Sequence, residues 1–325
     1  MKLPRREFLQ LAVAALGASA NARYSWASDY PIRPVRIVSG FPAGGLSDII
    51  GRLLGQRLSG RLGQTFLVEN RPGGATNIAA DAVARAPADG YTLLLATAVN
   101  AINATTFENL NFNFIRDFAP VASIVDAAFV LEVNPSIPAK TVPEFIAYAK
   151  ANPGKLAMAS GGLGSPEHVA GELFKMMTGV DMLHVPYRGS GPAVVAMLGG
   201  EVQVYFGPIA PSIEHIRSDR LRALAVTTAT RSESLPGIPT VSEFLPGYAV
   251  SAWQGLVAPR NTPADAVDML NKAINDELAD PKLKARLADL GTAVLPGSPA
   301  DFARLIAEDT QKWAKVVKAA GIKAN

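Results

Sequence analysis

A chain of 325 residues that is 49% hydrophobic and 18% charged is long enough for two domains with substantial cores, and too apolar for long disorder. It has no cysteine, which excludes a disulfide framework, a thiol nucleophile, a thiolate zinc site and a lipid-modified cysteine. The formal charge of +3 belongs to residues 1–27, where Lys2, Arg5, Arg6 and Arg23 stand against Glu7, so the remainder is near neutral and offers no basic stripe for nucleic acid.

Those basic residues flank an apolar run, Phe8–Ala18, that falls short of the roughly 20 residues a membrane span needs. With Ser25-Trp26-Ala27 as a small-x-small site, residues 1–27 read as an export signal cleaved near Ala27, which places the mature chain in the periplasm. Arg5-Arg6-Glu7-Phe8-Leu9 is similar to the twin-arginine motif. A retained anchor helix is the competing reading.

Val35-Arg36-Ile37-Val38-Ser39 reads as a β-branched strand, followed by a Gly/Pro loop and a helix with Ser47 as N-cap and Asp48 as first-turn acid. Ile49, Leu53, Leu54, Leu58 and Leu62 recur at helical spacing and define an apolar face. Such a turn aims several backbone N–H groups at one spot, an arrangement that attracts anions, although a plain βα turn looks the same in sequence. Gln64–Asn70 follows as a strand, Asn77–Ala86 as a small-residue helix, and Tyr91–Thr97 as a strand apolar enough to be buried on both faces. This β-α-β-α-β order predicts a parallel sheet wound by helices.

From Ala119 to Val133 extended apolar segments are interrupted by Asp126, and Ala128–Val133 is expected to cross into a second lobe. Thr141-Val142-Pro143-Glu144 is a capping box opening a helix that ends at Asn152-Pro153-Gly154. Strand Leu156–Ser160 leads through Gly161-Gly162-Leu163-Gly164-Ser165 into a helix with Pro166 at its first position and Gly179 as its stop. Strands Leu183–Tyr187, Val202–Phe206 and Leu221–Thr227 alternate with two more helices, which predicts a second parallel α/β unit.

Ala249–Val257 reads as a return crossing, and the rest as almost purely helical. Three helix starts there, Thr262-Pro263, Asp280-Pro281 and Ser298-Pro299, each set a capping residue before a proline. Phe302, Leu305, Ile306, Trp313 and Val317 give the last helix an apolar side that packs on the first lobe. The expected organisation is therefore a signal at 1–27, lobe one at 28–127 plus 250–325, and lobe two at 128–249, with the two crossings as a hinge. A single continuous sheet is the competing layout.

Ser39–Ser47 and Ser160–Ser165 are one device used twice. Ligands of open α/β sheets sit outside the carboxyl ends of the strands, so the two loops are expected to face each other as jaws. Neither contains a charge, so an anion between them is held by backbone N–H groups, hydroxyls and bridging water. Gly162-Leu163-Gly164 fails the dinucleotide fingerprint at Glu167, and no phosphate-loop, serine-hydrolase or zincin motif occurs. With only His168, His184 and His215 available, and these scattered, a metal site or histidine-dependent acyl transfer has little support. His184 is expected to be structural, while His168 fits ligand contact and packing equally well. Asp48 and Arg52 are spaced to pair along a helix, and Trp253 is expected in the core.

Longer motifs carry a family resemblance. Pro31–Val38 leading into Phe41-Pro42-Ala43-Gly44-Gly45 and Asp48, Val68-Glu69-Asn70-Arg71-Pro72-Gly73, Ala88-Asp89-Gly90-Tyr91-Thr92-Leu93, His184–Gly189 with Pro192-Ala193, and Leu221–Thr227 together resemble the Bug family of substrate receptors of tripartite tricarboxylate transporters. The resemblance spans essentially the whole mature chain. It implies a two-lobed periplasmic-binding-protein fold of type II, each lobe a mainly parallel sheet flanked by helices. It further implies a monomer that closes on a small organic carboxylate and delivers it to membrane permease subunits, without cofactor, metal or catalysis.

The site implied by the resemblance comprises Phe41, Ala43, Gly44, Gly45 and Asp48 in the first loop, and Ser160, Gly161, Gly164, Ser165 and His168 in the second. Thr97, Ala98 and Asn103 stand in a third cleft loop, Thr97–Asn103, and Tyr187 and Gly207 complete the set. Many family members carry an aspartate where this chain has Gly207, and an acid near the position of Gln203. A ligand without an ammonium group is therefore expected, a di- or tricarboxylate or an aromatic acid rather than an amino acid. An orphan carboxylate sensor feeding a signalling system is the alternative, and an exported α/β enzyme acting on a carboxylate a more distant one.

Overall fold

The computed structural model describes residues 30–323, so the export signal expected at 1–27 lies outside the described residues. The first segment runs β1 (Val35–Ser39), α1 (Leu46–Leu62), β2 (Phe66–Asn70), α2 (Asn77–Ala84), β3 (Thr92–Thr97), α3 (Ala98–Thr106) and β4 (Phe118–Val133). The second runs α4 (Val142–Ala151), β5 (Leu156–Ser160), α5 (Pro166–Thr178), β6 (Met182–Pro186), α6 (Ser190–Gly199), β7 (Val204–Pro208), α7 (Ile209–Arg217) and β8 (Arg222–Val226). The chain then returns through β9 (Ser251–Pro259), α8 (Ala264–Leu278), α9 (Pro281–Asp289), β10 (Thr292–Val294) and α10 (Pro299–Ala319).

The strand order is β2-β1-β3-β9-β4-β7-β5-β6, with β8 and β10 also pairing β4. Each end of this path is a parallel trio, β1 with β2 and β3 at one end and β5 with β6 and β7 at the other. The connecting strands β4 and β9 are antiparallel to their neighbours. β4, sixteen residues long, changes partners between Ala128 and Phe129: its first part pairs β9, its last part β7 and β8. The hydrogen-bonded path is continuous because this one strand belongs to both halves.

Three expectations need correcting, and one gains a detail. Asp126 does not interrupt the extended stretch; it sits inside β4 opposite Trp253, half-buried, and burial raises its carboxyl to about 6. Leu221–Thr227 does not extend the parallel set but forms β8, antiparallel to β4. The C-terminal part, almost purely helical as expected, also holds one three-residue strand, β10, which pairs Val125–Ala127 of β4. Thr262 does not cap the helix after it; Pro263 holds that position and the Thr262 hydroxyl donates to the Pro259 carbonyl at 2.8 Å.

The packing explains how α1 is placed. Its buried side is Ile50, Gly51, Leu54, Gly55 and Leu58, while Ile49, Leu53 and Leu62 lie at the margin. The face is rotated from the leucine pattern because two glycines let the helix ride close to the sheet. A Cβ on Gly55 would sit 3.0 Å from the Phe66 carbonyl oxygen. Full burial of each large aliphatic side chain contributes roughly 1.5–3 kcal/mol, so Ile50, Leu54 and Leu58 hold the helix down firmly. At the other end of the chain α10 buries Phe302, Ile306, Trp313, Val316 and Val317. It packs on α3 and β4 and also reaches α5, so it touches both halves. Trp253, fully buried in β9, donates its indole N–H to Asp309 on α10 at 2.6 Å.

Candidate functional site

One cleft of about 740 Å³ opens where the loops after β1, β3 and β5 and the starts of α6 and α7 converge over β4 and β9. Of the expected site residues, Phe41, Gly45, Thr97, Ala98, Asn103, Gly161, Gly164 and Ser165 line it. Ala43, Gly44, Asp48, Ser160, His168, Tyr187 and Gly207 do not.

The residues outside the lining have structural tasks that explain their positions. Asp48 is buried and pairs with Arg52, whose hydrogen bond is the main reason its carboxyl falls to about 2. It also accepts the Gly44 N–H at 2.9 Å, at a glycine whose φ of +83° disfavours other residues. Arg52 in turn donates to Asn70 at 3.1 Å, and Asn70 donates to the Phe41 carbonyl at 3.1 Å. Asp48 thus braces the first loop and does not face the cleft. Gly207 lies beneath the Tyr205 ring, which a side chain at 207 would overlap. Tyr187 donates its backbone N–H to Ser160 O at 2.9 Å as part of the second loop's frame.

His168 and His184 form that frame. Their rings stack with centroids 3.6 Å apart and planes 7° from parallel. His168 Nδ1 accepts the Gly164 N–H at 3.1 Å, and His184 Nε2 lies 2.6 Å from Ser160 Oγ. His168 thus both packs on His184 and braces the second loop. Burial lowers His168 to about 3, with the neighbouring His184 adding to the effect, and burial likewise lowers His184 to about 4. Both rings are therefore neutral in the native state, whereas the unfolded chain takes up protons below about 6.5. Their contribution to stability is complete above pH 6.5 and is lost as pH falls from there towards about 3. NMR should find both ring resonances unchanged between pH 8 and pH 5. A midpoint near 6.5 for either ring would contradict the stacked, neutral pair.

The two loops are less alike than their sequences. In the second, the N–H groups of Gly162, Gly164 and Ser165 are all used internally. Ser165 caps α5 through its hydroxyl. The expected third loop is the start of α3, closed by a capping box between Thr97 and Asn100. In the first loop Ser47 is not the cap; Gly45 holds that position and no side chain caps α1. α6 and α7, which open at Gly189 and Pro208, likewise lack a side-chain cap. Gly45, Gly189 and Pro208 all line the cleft. Three helix starts without a side-chain cap thus border one space, and their partial positive charges favour an anion there.

No Lys, Arg or His lines the cleft among the described residues, and Glu167 is the one charged residue that does. Hydroxyls of Ser47, Thr76 and Ser190, the Gln254 amide, and the apolar surfaces of Phe107, Phe129, Leu163 and Trp253 complete the wall. Trp253 lies in the core as expected, 1% exposed, and also borders the cleft. Gly40 also lines it, and has no room for a side chain because the turn carrying Thr76 crosses it there. Sequence reasoning missed Glu167 and Gln254. The first follows the second loop as Asp48 follows the first, and the second stands two residues after Ala252 on the cleft face of β9.

Two α/β halves meeting over a shared cleft, joined through antiparallel strands, define the type II periplasmic-binding-protein class. Residues 50–322 match the family described as "Tripartite tricarboxylate transporter family receptor", and the chain belongs to that family. It is 36% identical to Protein BugT of Bordetella pertussis over 96% of this chain and 95% of that protein. Among solved structures it is similar to R. palustris Rpa4515 with adipate, at 37% identity and a TM-score of 0.78 over 91% of this chain and 99% of that one. MatC (Rpa3494) from Rhodopseudomonas palustris with bound malate shares 32% identity with a TM-score of 0.74, over 89% and 100%. Among the described residues no helix is long and apolar enough to cross a membrane.

Proposed function

We propose that the mature chain is a binding receptor for a small organic carboxylate, which it holds at the uncapped start of α1 and delivers to membrane permease subunits. The observation that carries this reading is the convergence of three uncapped helix N-termini on a cleft with no lining cation. A carboxylate satisfies free N–H groups and complements the helix dipole; a cation or a neutral sugar does neither as well. The adipate and malate named with two similar structures are carboxylates of this kind.

Residues 28–127 with 250–325 act as one lobe and 128–249 as the other, closing about β4 and β9, where Trp253 joins the cleft floor to α10. The chain reaches the periplasm through its N-terminal signal, of twin-arginine type, and works as a monomeric binder without turnover. The expectation that the ligand lacks an ammonium group rested on the absence of an acid at 203 and 207. Glu167 supplies one from another element, so that exclusion is not carried forward.

A thermal-shift screen of the mature chain over small organic acids tests the reading. A ligand that binds only the native state adds about 2.7 kcal/mol at 100 times its Kd, a readable rise in Tm. Stabilisation by a mono- or dicarboxylate is the expected result. Stabilisation only by sugars or cationic solutes would overturn it, and a turnover assay on the acid found would expose an enzyme.

A further inference from the structure

Glu167 touches no ligand group in the carboxylate reading, and its polar neighbours are Ser190 and the buried Tyr205 phenol. It is the second residue of α5, 7% exposed, and its carboxylate rests where Gly161 lacks a side chain: a Cβ there would lie 3.0 Å from Oε1. Ser190 Oγ donates to Oε1 at 2.9 Å. Among the described residues no cationic side chain forms an ion pair with it. Ser190 is the first residue of α6, so this carboxylate already stands at one of the three uncapped helix starts. Elsewhere on the cleft floor Gln254 of β9 is 5% exposed, and one end of its amide, Oε1, is buried without a hydrogen-bond partner. The second-half wall therefore presents the Glu167 carboxylate, while the α1 end presents donors.

We infer that Glu167 determines specificity, selecting a ligand that has one carboxylate, seated at α1, and a hydroxyl or ammonium group at its far end that donates to Glu167. The inference rests on the carboxylate reading above and narrows it. A second carboxylate brought to this wall would face Glu167 in a cleft with no cation to offset either charge. A hydroxyl or ammonium group there makes a charge-assisted hydrogen bond instead. The competing role for Glu167, a first-turn acid that only steadies α5, predicts no dependence on the ligand's far end.

Calorimetric titration of the mature chain and of Glu167→Gln with three matched sets decides between them. The sets are butanoate, 4-hydroxybutanoate, 4-aminobutanoate and succinate; hexanoate, 6-hydroxyhexanoate, 6-aminohexanoate and adipate; and benzoate, 4-hydroxybenzoate, 4-aminomethylbenzoate and terephthalate. In whichever set binds, the wild type should prefer a hydroxy or amino acid over the matched diacid by tenfold or more. Glu167→Gln should erase at least tenfold of that preference by tightening the diacid more than the unsubstituted acid of the same set. A diacid preferred by the wild type, or a preference ratio unchanged by the substitution, overturns the inference and leaves the carboxylate reading intact. Failure of every acid to bind either protein overturns both.

Discussion

Gly45→Asp is expected to abolish carboxylate binding while leaving the free protein as stable as before or slightly more so. Gly45 is the N-cap of α1, with φ −78° and ψ 169°, an extended conformation any residue adopts. The nearest atom to a Cβ there is the Pro42 carbonyl oxygen at 3.5 Å, an ordinary contact. An aspartate in this position accepts the free first-turn N–H groups and improves on glycine as a cap by a few tenths of a kcal/mol. It also sets a negative charge where the ligand's carboxylate belongs. Two like charges about 4 Å apart repel by about 4 kcal/mol at an effective dielectric near 20, which corresponds to roughly a thousandfold in Kd. Gly45→Asn separates the two effects, since it occupies the same N–H groups without charge and should weaken binding far less. The measurements are Kd for the acid giving the largest thermal shift, and Tm of each free protein. Binding by Gly45→Asp within threefold of wild type would show that the carboxylate does not sit at α1.

That test depends on a detail the sequence states ambiguously. Ser47 is the better cap by residue type, yet the helix begins earlier and the serine lines the cleft. Local rules worked where the deciding partners are near in sequence. Thr141, Ser165, Asp280 and Ser298 each accept an N–H three residues on, as their spacing implied. They failed where a distant partner decides. Asp126 reads as a break, but β4 continues because β9 and β10 pair it on both edges and its carboxyl sits half-buried there at a raised pKa. His168 and His184 read as scattered, and only the pairing of β5 with β6 brings a strand residue under the first turn of α5. Glu167 read as the end of a failed glycine motif because its meaning comes from Ser190, across the cleft wall. The two Gly-rich loops were legible as a pair. Their difference, a helix start capped by Ser165 in one and by no side chain in the other, is not visible in their composition.

Gly207 carries the second large prediction, because its apparent blank is filled. Residues two apart on a strand share a face, and the Tyr205 ring lies back over Gly207 closely enough to overlap any Cβ placed there. Tyr205 is fully buried among Ala159, Val194 and Met197, so the ring has no free space to enter. Gly207→Ala should therefore destabilise the protein by about 3 kcal/mol, at the upper end of what overpacking usually costs. Tyr205→Val alone should also destabilise, by a similar order, through the cavity it leaves. The combination should cost clearly less than the sum, because the alanine then occupies volume the ring has vacated, and contacting sites couple by about 0.5–3 kcal/mol. Urea unfolding of the four proteins measures this cycle. Additive losses would mean that ring and glycine are independent. Coupling would mean that an acid cannot enter at 207 while tyrosine stands at 205, leaving Glu167 as the acid of this cleft wall.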